Sequence, residues 1–82
     1  MNDPDWSSIE HLIEEIIEMQ TKRVLHCGES MVPNLTQEDL LQPNDYRVLE
    51  NSPLFRYEEG VLIGMKTMQA ALRAHRRERE HH

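Results

Sequence analysis

The chain has little cysteine, little aromatic character and no long apolar run. Cys27 is the only cysteine in 82 residues. That excludes a disulfide within the chain and a cysteine-based zinc site, which needs about four ligands at recognisable spacing. One thiol with five methionines fits a reducing compartment, and the expected localisation is cytoplasmic. One Trp, one Phe and two Tyr leave the core to Ile, Leu, Val and Met. The three glycines, Gly28, Gly60 and Gly64, have the wrong spacing and context for a phosphate-cradling loop. No apolar stretch approaches the ~20 residues needed to span a bilayer. The polar, acidic start, Met1 to Asp5, is unlike a signal peptide. No membrane association is expected.

Charge is present, and unevenly placed. The formal net charge is −6. Residues 1–59 hold 13 acids and 4 bases, whereas residues 60–82 hold 2 acids and 5 bases. An acidic chain is repelled by phosphate at long range, which disfavours general nucleic-acid binding. An acidic and a basic segment can instead pair in antiparallel fashion, within one chain or between two.

The first third reads as a helix over about residues 5–27. Trp6, Ile9, Leu12, Ile13, Ile16, Ile17, Met19, Val24 and Cys27 recur mainly in steps of three and four, the helical period. Glu10, Glu14, Glu15 and Glu18 fill the other side. Two starts are available: Asp3 before Pro4, or a capping box of Ser7 with Glu10. Gly28 stands where a C-terminal cap belongs.

The middle is broken into short pieces. Glu29 to Asn34 reads as a loop, with Met31 and Val32 against the core. Thr36 reads as an N-cap, with Leu35 stapling to Leu40, and Pro43 stops that short helix near Gln42. Tyr46 to Glu50 has room for one helical turn or a short extended piece. Asn51, Ser52 and Pro53 break the chain again, and Ser52-Pro53 opens a last helix running to about Arg79.

That last helix carries two stripes. One is large and apolar: Leu54, Val61, Leu62, Met65, Met68 and Leu72. The other is small: Gly60, Gly64, Thr67, Ala71 and Ala74. Each glycine costs a helix roughly 1 kcal/mol against alanine. Close approach of another helix would offset that cost; the alternative is a kink or break near Gly60.

Few residues suggest chemistry. His26 and Cys27 adjoin near a helix end, but neighbours on a helix point about 100° apart and do not converge. A thiol at a helix C-terminus meets the negative dipole end, which makes it less reactive. Within the first helix no Glu is followed three residues later by His, so the carboxylate-bridged metal pattern of four-helix proteins is missing. Tyr57 is expected to pack on the middle segment, beside Arg56. The Met65, Met68 and Leu72 seam suits either core or an adaptable peptide groove. No Ser-His-Asp or Cys-His set can be assembled. No catalytic residue, metal ligand or cofactor is assigned.

These features define an all-α expectation. Two long helices, about 5–27 and 53–79, pack antiparallel within one helical domain, residues 1–80; His81-His82 has the character of a tag remnant. Two helices alone leave the far side of each stripe exposed. A two-fold dimer forming a four-helix bundle would cover it; so would the middle segment, with Leu35, Leu40, Leu41, Val48, Leu49 and Phe55. The expected packing or dimer face comprises Ile9, Ile13, Ile16, Gly60, Gly64, Met65, Met68, Ala71 and Leu72. The expected function is a non-enzymatic interaction or scaffold module, a homodimer that also binds another protein. The alternative is a nucleic-acid-associated regulator using Arg73, Arg76 and Arg77.

Overall fold

The computed structural model describes residues 5–80. Among these there are helices and turns and no strand: α1 (Trp6–Glu29), two single 3-10 turns at Asp39–Leu41 and Pro43–Asp45, α2 (Arg47–Glu50) and α3 (Pro53–Glu80). The long helices α1 and α3 form an antiparallel hairpin, and the linker folds back against one end of it.

Helix α1 begins one residue after Asp5, whose carboxylate accepts from the Ser7 N–H at 2.8 Å. Asp5 satisfies one of the unpaired amides of the first turn, so the Ser7–Glu10 box expected from sequence is not the cap. The start at Asp3 lies outside the described residues. At the other end, Gly28 is not a terminating residue. It lies inside α1, buried and without a positive φ. The left-handed conformation falls instead at Asn34, φ 66°, after Pro33; asparagine tolerates that region better than most residues.

Gly28 has a packing role. A Cβ there would stand 2.5 Å from Leu35 Cδ2 and 3.5 Å from Phe55 Cε2. The linker crosses α1 over this residue. Leu35 and Leu49 from the linker, Val24 from α1 and Phe55 and Leu62 from α3 form the buried core, with Phe55 and Leu49 0% exposed. Met31, Val32, Leu40 and Tyr46 pack against it. The middle segment therefore does cap the hairpin, but only at this end.

Thr36 and Asp39 bond reciprocally. The Thr36 N–H and hydroxyl donate to Asp39 Oδ2 at 2.9 and 3.0 Å, and the Asp39 N–H donates to Thr36 Oγ1 at 3.3 Å. The turn they open is 3-10 and ends at Leu41, shorter than the expected helix, because Pro43 follows. Ser52 caps α3 as its sequence suggests: Phe55 N–H donates to Ser52 Oγ at 3.2 Å. Arg56 then ties α3 to the linker. Its guanidinium donates to the Glu50 carbonyl (3.0 Å), to Asn44 Oδ1 (2.7 Å) and to Glu59 Oε1 (2.7 Å). Helix α3 passes through Gly60 and Gly64 as one continuous helix, so the break considered at Gly60 is not formed.

Candidate interaction surface

Away from the capped end the two helices run on as a bare arm. No residue of α1 before Gln20, nor of α3 after Leu62, is buried. Three groups of residues along the hairpin have the exposure or chemistry to act on something else.

The first is a groove between α1 and α3. Ile13, Ile16 and Ile17 form one wall, and Met65, Met68 and Leu72 the other, enclosing 180 Å³ with Gln69 as the sole polar lining residue. Leu12 and Met19 flank Ile16 at i−4 and i+3, on the same side of α1. Leu12 is 56% exposed, Met19 68% and Met68 63%. Ile9 is half-buried. Gly60, Gly64 and Ala71 are exposed on α3, and a Cβ at either glycine would meet nothing within 4 Å. The close helix approach expected at the glycines is therefore not made inside the chain.

The second group is the arm's tip. Arg73 Nε reaches Glu10 at 3.2 Å and its Nη2 reaches Glu14 at 3.5 Å. Arg76 reaches Glu10 at 3.8 Å and Glu80 at 2.9 Å, and its guanidinium carbon lies 5.3 Å from the centre of the Trp6 ring. The acidic and basic segments pair here within one chain. Two of the three arginines assigned to a partner are thus spent on the hairpin itself. Arg77 lines an open basin with Glu10 and Glu80.

The third group lies beside the capped end, where Arg23, His26, Cys27, Ser30, Leu54 and Glu58 line an open cleft of 540 Å³. Glu58 is nearly buried, and the Gln20 amide donates to its carboxylate at 2.8 Å and to its carbonyl at 3.0 Å. Arg23 Nε approaches the same carboxylate at 3.6 Å. Burial, and then the charge of Glu58, push the Cys27 thiol above its ordinary value. At neutral pH it stays a thiol, the less reactive form. Cys27 also lies in the last turn of α1, two residues before its end at Glu29. Among the described residues no three His, Cys, Asp or Glu side chains converge as metal ligands, and no helix is long and apolar enough to cross a membrane.

Of the face expected from sequence, the structure places Ile13, Ile16, Met65, Met68 and Leu72 around one groove. Sequence reasoning missed Ile17 and Gln69 as lining residues, and it missed the Gln20–Glu58 pair. Position was the only available signal for that pair: Gln20 and Glu58 both fall on the inward stripe of their helices. Tyr57, expected against the linker, is exposed.

The arrangement defines an all-helical hairpin with a capped base and an open arm. The chain matches no protein-family model, no curated protein and no solved structure.

Proposed function

We propose that this chain is a non-enzymatic helical interaction module that works as a homodimer, each copy covering the other's α1–α3 groove to complete a four-helix bundle. The observation that carries this reading is the groove itself. Its walls are apolar side chains, yet Met68 within it, and Leu12 and Met19 beside Ile16 on α1, stay more than half exposed. Burial of such surface is favourable by about 25 cal/mol per Å² of apolar area, and nothing in the hairpin supplies it. The nucleic-acid reading has less support, because Arg73 and Arg76 already face Glu10 and Glu14.

Light scattering behind size exclusion, over a range of concentrations, tests the proposal. Wild type is expected to be a dimer that dissociates on dilution, and Ile16→Glu a folded monomer. A wild type that stays monomeric at every concentration would overturn it.

A further inference from the structure

We infer that in this dimer the arm's tip of each copy lies over the base of the other, so that the partner's Arg79 closes the cleft at Glu58. The inference rests on the homodimer reading above and goes on to what completes the cleft.

The groove face runs on past the groove at both ends, and charges stand on it there. On α3, Glu58, Met65, Leu72 and Arg79 follow one another at seven-residue steps. Seven residues are two helical turns less about 20°, so the four share one line down the helix. Met65 and Leu72 are walls of the groove, and Glu58 lines the cleft. On α1, Asp5, Leu12 and Met19 form one such line, and Ile9, Ile16 and Arg23 form its neighbour. Each helix therefore reads acid, apolar, apolar, base on this face, in chain order. Arg73, one residue beyond Leu72, is turned about 100° from the line and takes no part. Arg56, two residues before Glu58, is on the far side of α3, where it holds the linker.

The helices are antiparallel, so the charges alternate around the face: Asp5 and Arg79 at the tip, Arg23 and Glu58 at the base. Such a face complements a second copy of itself. A two-fold axis across the helices, between Met65 and Leu72 and level with Ile13 and Ile16, exchanges Glu58 with Arg79 and Asp5 with Arg23. An axis along the hairpin also opposes unlike charges, with Arg23 over Glu58. The cleft separates the two. Glu58 is nearly buried; Gln20 and Arg23 both meet it at Oε2, and Oε1 has no partner among the described residues. Base on base would set two open clefts of 540 Å³ against each other, contrary to the close packing of protein interiors. Tip on base brings a long donor side chain to each. Arg79 is exposed, whereas Arg73 and Arg76 are held by glutamates of their own chain. A guanidinium is weakly hydrated and suits a nearly buried carboxylate, and exposed Leu54 on the cleft wall takes its aliphatic stem.

Charge reversal and disulfide trapping test the arrangement. Arg79→Glu, in the last turn of α3, is expected to weaken dimerisation about tenfold or more, since both of its contacts turn repulsive. Arg79→Lys should keep most of the affinity. Arg77→Glu, turned about 160° from Arg79, should change it less than about twofold. Equal effects of the two reversals, or none from Arg79→Glu, would overturn the inference. In a Cys27→Ala background, Leu54→Cys is then mixed with Arg79→Cys and, separately, with Ser30→Cys; each mixture is oxidised and weighed by mass spectrometry. The expected product joins positions 54 and 79 of different copies. A disulfide between positions 54 and 30 instead would mean base on base and would overturn the inference. So would the absence of the 54–79 product in a sample that light scattering shows to be dimeric. A wild type that is monomeric in light scattering overturns the homodimer reading instead, and the two failures are told apart. All substituted positions except Cys27 are exposed, and far-ultraviolet circular dichroism of each variant checks that the hairpin is retained.

Discussion

The two ends of this hairpin are made of the same two helices and differ in what lies over them. At the base the linker adds a third layer, and Val24, Leu35, Leu49, Phe55 and Leu62 are buried. Among the described residues the arm has no third layer, and even Ile13 and Leu72, in the seam, are only half-buried. An amphipathic stripe broader than one helix contact cannot be covered by a single partner helix. The base answers with its own chain, and the arm is left with arginine–glutamate pairs and an open groove.

Substitutions that break this contrast rank as follows. Phe55→Ala is expected to cost about 3–5 kcal/mol, enough to unfold most of so small a domain, seen as lost helicity in urea titrations. Gly28→Ala should cost about 1–3 kcal/mol, since its methyl group meets buried Leu35 with Phe55 behind it. Gln20→Ala should cost about 1–3 kcal/mol by leaving the nearly buried Glu58 carboxylate without its amide donor. Gly60→Ala, on open helix, should have the opposite sign to Gly28→Ala and stabilise the hairpin by about 0.5–1 kcal/mol. Denaturation midpoints of the two glycine variants measured side by side test that reversal. Arg73→Ala should cost less than about 1 kcal/mol, because its pairs are partly exposed and screened. In wild type, amide exchange in the arm should be faster than at the base.

The smallest expected effect is one of pH. Bonds from the Thr36 amide, then the Thr36 hydroxyl, hold the Asp39 carboxyl below its usual 3.8. A depressed carboxyl contributes above its unfolded value and loses that contribution as pH falls through the folded one. The 3-10 turn should therefore loosen only below about pH 4, with amide shifts of residues 36–41 as the readout, and Asp39→Asn should abolish the dependence. Tyr46 moves the other way: burial, and then Asp39, raise it above 10.0. Its contribution is complete below that value and is lost as pH rises through the folded one.

The long elements could be read from the chain because their signals are local. Ser52-Pro53 opens α3, and steps of three and four mark both stripes. What escaped reading depends on elements far apart in sequence. Gly28 resembles a cap locally; only Leu35 crossing above it makes it a packing glycine. Phe55, grouped with the linker's apolar residues, is the centre of the core because Arg56 beside it anchors α3 to Asn44 and Glu50. Of the groove, the walls were legible from periodicity. That the linker stops short of them was not, since Pro43 and Asn34 set the linker's path by turn geometry.

Trp6, the single tryptophan, sits at the arm's tip under the Arg76 guanidinium, with a buried indole N–H that finds no hydrogen-bond partner among the described residues. Its emission is thus a dye placed by the chain at one end only. A red shift with unchanged helicity would report the two helix ends parting while the base holds. Lost helicity alongside the shift would report that both ends give way together.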